Sequence, residues 1–184
     1  MKVLLVCCPA TVASESGSDE VGAAADTAQA SLIVRDITDR FDLAAVYASS
    51  EPGALETATA IASGFGLVPI RAEALGAIAR DFKSPAAAND RGTAHEGGAH
   101  LDDLQDQAWR EVEEIRSETD AAGTVAVVCG PLAIRAVVCR LLGIPLAGPY
   151  RFELSPGSFS TIDFRPNRTL LAGLNETCHL EKSI

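Results

Sequence analysis

Apolar runs of five or six residues recur along the chain, separated by segments whose apolar positions fall at helical spacing. Residues 2–7 (Lys2-Val3-Leu4-Leu5-Val6-Cys7) are apolar at nearly every position, the pattern of a parallel strand buried on both faces. A polar loop from Val12 to Gly17 follows. Ser18-Asp19-Glu20 then opens a helix running to about Thr38, with Ser18 as cap and two acids at the positive end of the dipole. Leu43 to Ala48 is the next strand. Ser49-Ser50-Glu51-Pro52 starts a second helix, with proline in its first turn and Gly64 and Gly66 as its stop. Val68-Pro69-Ile70 is a short extended piece. Residues 72–98 hold no sustained period and read as a long loop or lid with short helical pieces. From Leu101 to about Thr119, Leu104, Ala108, Val112 and Ile115 share one face of a charged amphipathic helix. Strand 124–128 and helix 131–142 follow, with Gly143 ending the helix. Phe159–Phe164 and Thr169–Leu174 read as an antiparallel hairpin turned through Arg165-Pro166-Asn167-Arg168. Alternating strands and helices early and a hairpin late predict an α/β chain with a mixed sheet and helices on both faces.

Length and composition keep this picture to one domain over 1–184, with the irregular part near 72–100 as lid or insertion. The chain is 47% apolar and 22% charged, with a formal net charge of −10. That balance argues against nucleic acid and anionic membranes as partners. Neither a leader pattern nor a membrane-length apolar run is legible, and the odd set Cys7, Cys8, Cys129, Cys139 and Cys178 reads as reduced thiols; a cytoplasmic location is expected.

Candidate chemistry is expected at the strand ends, where open α/β sheets hold ligands. The first strand ends in Cys7-Cys8-Pro9-Ala10-Thr11 and the later one in Cys129-Gly130-Pro131. Both ends offer thiols, proline and small residues where an anion-handling site would carry charge. Cys8 as a thiolate nucleophile would need its pKa lowered by a helix N-terminus, a cation or a metal. Three thiols beside His100 invite a zinc reading, but no Cys-x-x-Cys knuckle is present; no metal and no cofactor is expected. Thr11 and Ser50 could hydrogen-bond a ligand, while Arg135 reads as a structural brace, Trp109 as a core or edge residue, His95 as solvated and His179 as structural.

Several strings, taken in order, resemble the histidine phosphatase (phosphoglycerate mutase-like) superfamily. Val3-Leu4-Leu5-Val6-Cys7-Cys8-Pro9-Ala10-Thr11 stands where that family has its apolar strand and Arg-His-Gly-Glu-Thr motif. Val46-Tyr47-Ala48-Ser49-Ser50 with Glu56-Thr57-Ala58 is similar to its second strand and following helix. Gly97-Gly98-Ala99-His100-Leu101 resembles the Gly-Gly-Glu-Ser helix start, and Val127-Val128-Cys129-Gly130-Pro131-Leu132-Ala133-Ile134-Arg135 the string Val-Val-Ser-His-Gly-Gly-x-Ile-Arg. Leu141-Leu142-Gly143-Ile144-Pro145 and the tail Leu174-Asn175-Glu176-Thr177-Cys178-His179-Leu180 add to the likeness. The resemblance implies a three-layer α/β/α sandwich with a mixed, mostly parallel sheet.

It also implies what is missing. A phosphohistidine mechanism needs a neutral imidazole nucleophile, cations around the phosphoryl oxygens, a second histidine and a carboxyl acid. Carried over by position, the nucleophile falls on Cys8, its neighbouring arginine on Cys7, the second arginine at or beside Gly53, the second histidine on Gly130, and the acid on Ala77, with Glu73 nearby. Three readings follow. The first is a repurposed enzyme acting on a small metabolite, with Cys8, Cys7, Cys129 and His100 as catalytic candidates and Thr11, Ser50, Pro9, Gly130 and Pro131 as ligand contacts. The second is a pseudophosphatase that binds a small molecule or a protein. The third is a residual phosphatase. A homodimer is compatible with each.

Overall fold

The computed structural model describes residues 1–8, 31–76, 98–120, 122–146 and 152–180. Pro9, Thr11, Ala77, His95, the loop over 12–17 and the Ser18 cap lie outside the described residues. The elements, in chain order, are β1 (Lys2–Cys7), a helix described over 31–40 (α1), β2 (Leu43–Ala48), α2 (Pro52–Gly64), β3 (Ile70–Arg71), a helical stretch at 73–76 (α3), α4 (Gly98–Glu118), β4 (Thr124–Cys129), α5 (Pro131–Leu142), β5 (Phe159–Arg165) and β6 (Arg168–Glu176). The six strands lie in the order β3-β2-β4-β1-β5-β6. Pairing is parallel from β3 through β1, and antiparallel from β1 to β5 and β5 to β6. This is the mixed α/β sheet expected from the sequence.

Strand period sorts the core into two layers. Val3, Leu5 and Cys7 of β1 and Val125, Val127 and Cys129 of β4 enter the cluster under α4 and α5. Leu4, Val6 and Cys8, with Ala126 and Val128, enter the cluster under α1 and α2. Val3 through Val6 are wholly inaccessible, as a strand covered on both faces requires. The predicted amphipathic face of α4 is the one observed: Leu104, Ala108, Val112 and Ile115 are all buried.

Boundaries differ at several elements: β3 is Ile70–Arg71 rather than 68–70, and β4 and β5 each run one residue further than expected, to Cys129 and Arg165. α4 begins at Gly98, three residues before the predicted start, inside the stretch read as irregular. α1 runs to Arg40, past Thr38. β6 extends from Arg168 to Glu176, beyond Thr169–Leu174. Among the described residues no helix is long and apolar enough to cross a membrane. Trp109 is half-buried at the core edge, its ring centroid 6.1 Å from that of Phe164.

Candidate functional site

The C-terminal ends of β1, β4 and β2 lie side by side. The Cys7 Cα stands opposite that of Cys129 in the parallel ladder, and the Cys8 N–H donates to the Cys129 carbonyl at 3.0 Å. The Ser49 N–H donates to Val128 O at 2.9 Å, bringing the end of β2 to the same level. From the β5 side, the Cys7 N–H donates to Ser158 O and the Gly157 N–H to Cys7 O, both at 2.8 Å. Cys7 is thus fixed from both neighbouring strands.

Burial changes the chemistry of these thiols. Cys7 and Cys8 are 1% and 5% exposed and Cys129 is wholly buried. Burial pushes the Cys8 thiol up to about 12, with the Glu51 charge adding to the effect. Cys7 is pushed up to about 11 by burial; the charge of Arg135 pulls the other way and loses, and Glu51 adds to the rise. Burial also raises Cys129 well above the ordinary range, the thiols of Cys8 and Cys7 and the charge of Glu51 acting in the same direction. None has the lowered pKa that a nucleophilic thiolate needs. Nor do the three line one pocket: Cys7 and Cys129 face the α4–α5 layer, Cys8 the α1–α2 layer. The Cys7 thiol points to its neighbour's carbonyl, Sγ to Cys8 O at 3.8 Å. All five cysteines are free, and among the described residues no group of three or more His, Cys, Asp or Glu side chains is placed to hold a metal ion.

The residue that sequence reasoning missed is Glu51. It is the N-cap residue of α2, and its carbonyl accepts from Ala54 and Leu55, but its carboxylate does not cap its own helix. Oε2 instead accepts the Gly130 N–H at 2.8 Å and the Ser49 hydroxyl at 2.8 Å. Gly130 is the N-cap of α5 and has no side chain to offer, and Pro131 follows it. The carboxylate therefore sits on the positive end of α5, contributed by a residue 79 positions earlier. A Cβ on Gly130 would stand 2.5 Å from Glu51 Oε1 and 2.9 Å from Oε2. The glycine leaves the room that the carboxylate occupies. The signal in the sequence was an acid directly after Ser49-Ser50 at a strand end, read there only as part of a helix start.

Ser50, half-buried, is pressed against α3: a Cβ on Gly76 would collide with the Ser50 hydroxyl and stand 2.8 Å from its backbone nitrogen. His100 stands in the first turn of α4, away from the cysteine ladder in sequence, and its side chain lies outside the described set. Arg135 is a half-buried residue of α5 whose charge reaches Cys7 and Cys139. His179 is buried, its ring stacked on Phe159 and its Nε2 2.8 Å from Gly157 O, which braces the loop that holds Cys7. Among the described residues, a cavity of about 350 Å³ opens between α4 and the end of α5, and another of about 280 Å³ beside α1 and His179.

The class follows from the sequence pattern: the chain belongs to the histidine phosphatase superfamily (branch 1), whose pattern matches residues 77–177. That match begins after β1 and β2, so it includes Gly130 but not Cys7, Cys8 or Glu51. Among particular proteins, the chain is similar to phosphoserine phosphatase 1 of Hydrogenobacter thermophilus, 33% identical over 85 residues. The aligned stretch covers 46% of this chain and 40% of that relative. Over the whole fold it resembles a phosphoserine phosphatase mutant from Entamoeba histolytica in complex with phosphoserine (TM-score 0.67, 18% identity, 97% of this chain and 98% of that one). It also resembles the phosphoglycerate mutase of Bacillus anthracis (TM-score 0.67, 14% identity, 99% and 96%). At these identities the structural likeness speaks for the fold alone.

Proposed function

We propose that this member of the superfamily no longer runs phosphohistidine chemistry and serves as a binding module for a small-molecule ligand at the ends of β1, β2 and β4. One observation carries the reading: the Glu51 carboxylate seated 2.8 Å from the Gly130 N–H. By the family resemblance, Gly130 stands where the second histidine would be and Cys8 where the nucleophile would be. Negative charge then occupies the place where a phosphoryl group needs positive charge. Two like unit charges 4 Å apart repel by about 4 kcal/mol at an effective dielectric near 20. A phosphomonoester dianion entering beside Glu51 would meet repulsion of that order, enough to offset much of a typical substrate's binding. Cys8 supplies no substitute nucleophile, because a thiol pushed up to about 12 is thiolate in roughly one molecule in 10⁵ at neutral pH. The net charge of −10 adds no long-range attraction for anions.

The test is turnover by pure protein of p-nitrophenyl phosphate and of phosphoserine, a ligand named for a similar protein. Rates at the buffer background are expected, unchanged in Cys8→Ala. Robust hydrolysis that Cys8→Ala abolishes would overturn the proposal. A repurposed enzyme is the second reading, favoured by one feature: Glu51 Oε2 takes both hydrogen bonds made to this carboxylate by described residues, leaving Oε1 for a proton or a ligand donor. Under that reading Glu51→Gln removes an acid–base group while keeping its shape. It would then abolish turnover of the ligand without loss of binding.

A further inference from the structure

Glu51 is the N-cap residue of α2, in extended backbone, yet its side chain makes no bond to its own helix. Short side chains with an oxygen, above all Ser, Thr, Asp and Asn, serve that position. The longer glutamate reaches across to β4 instead, where Oε2 accepts the Gly130 N–H and the Ser49 hydroxyl, each at 2.8 Å. The two donors are neutral, and each is held by backbone bonds in which Glu51 takes no part. Ser49 is 2% exposed, and its N–H is tied to Val128 O at 2.9 Å. Gly130, also buried, caps α5, its carbonyl accepting the Ile134 N–H at 3.3 Å. Between them lies room that a Cβ on Gly130 would take, 2.5 Å from Oε1 and 2.9 Å from Oε2. A prebuilt pair of donors and a glycine-sized space therefore receive the carboxylate, and both remain when the side chain is removed.

We propose that the ends of β2 and β4 form a carboxylate-binding seat whose resident occupant is Glu51 itself, an autoinhibitory contact that keeps external carboxylates out. On this account anion binding at β4 is blocked by self-occupation, with the donors intact beneath. Buried donors without an acceptor are costly, so a vacated seat favours any small carboxylate that fits. A tethered group competes at the effective concentration its link sets, about millimolar even for short flexible links. Glu51, one residue beyond Ser50 and two beyond Ser49, holds that advantage over a free acid in the intact chain.

Thermal unfolding of the full chain in sodium formate, against sodium chloride at equal ionic strength, tests this. Formate is the fragment that Glu51→Ser removes, and serine supplies α2 with the cap it lacks. Glu51→Ser and Glu51→Ala should gain about 2–4 °C in formate, saturably. The wild type and Glu51→Gln, in which the seat stays filled, should not respond. The Gly130 amide proton reads the same event by NMR: it should shift in Glu51→Ser and return toward its wild-type position as formate saturates. If Glu51→Ser and Glu51→Ala lose their fold, formate present during refolding should restore it. Vacated variants that formate neither stabilises nor rescues would overturn the proposal, as would a Glu51→Gln protein that responds as strongly as Glu51→Ser. The role of Glu51 rests on these strand ends being a binding site. Phosphatase turnover would overturn that reading, whereas formate-insensitive variants overturn the self-occupation alone.

Discussion

At the residue scale, Glu51 and Gly130 are a matched pair. Glu51→Ala removes the partner of the α5 N-cap N–H and should destabilise the fold by about 1–2 kcal/mol in urea denaturation. Gly130→Ala puts a methyl group into the carboxylate at 2.5 Å, and should cost about 1–3 kcal/mol. The double variant should be less unstable than the sum of the two, since the methyl group then meets empty space; strict additivity would argue against the contact. The thiols give a second pair of expectations. Iodoacetamide should label exposed Cys178 first, and Cys7, Cys8 and Cys129 only on unfolding, as peptide mapping by mass spectrometry would show. An unfolded thiol releases its proton near 9.0, while Cys7 and Cys8 hold theirs to about 11 and about 12 in the folded chain. Between those values the folded state binds more protons. Stability is therefore full below pH 9 and is lost as pH rises toward 11 to 12. The urea midpoint should be flat up to about pH 9 and fall above it. Cys8→Ala should reduce the fall by up to about 1.4 kcal/mol per pH unit.

At the element scale, period and punctuation made most of the sheet and its covering helices legible. β1 and β4 are unbroken apolar runs, and both are buried on two faces. α5 was bounded correctly because proline opens it and Gly143, at φ 66°, closes it in the left-handed conformation that glycine tolerates. The turn 166–167 joins Arg165 to Arg168 as the hairpin pattern implied. What stayed hidden was set by distance along the chain. Glu51 meets Gly130 across 79 residues, and no local pattern reports on such a pair. The thiols were visible, but their division between two layers and their loss of acidity follow from burial, which the tripeptide around each cysteine does not state. Gln105 is a further instance. Its amide donates to Ile144 O at 2.8 Å and accepts from Leu146 N at 3.3 Å, fastening α4 to the chain leaving α5. Gln105→Ala leaves both backbone groups without that partner and should lower the thermal midpoint by several degrees, as for a loss of about 1–3 kcal/mol.

At the scale of the whole molecule, the sheet divides its labour. The parallel half, β3 to β1, brings three strand ends to one level at the candidate site; the chain entering β5, in the antiparallel half, brackets Cys7. Two cores of similar construction, one per face, hold the halves together.

The central position of β1 has a consequence for how the chain is made. Its two neighbours, β4 and β5, begin at Thr124 and Phe159. A ribosome emits the first of them only after more than a hundred intervening residues, several seconds at ordinary elongation rates of about 5–20 residues per second. Throughout that interval the most apolar strand of the protein is outside the tunnel with nothing to pair with. Nascent chains stalled before Thr124 should therefore associate with chaperones through residues 2–7, and those stalled past Arg165 should release them.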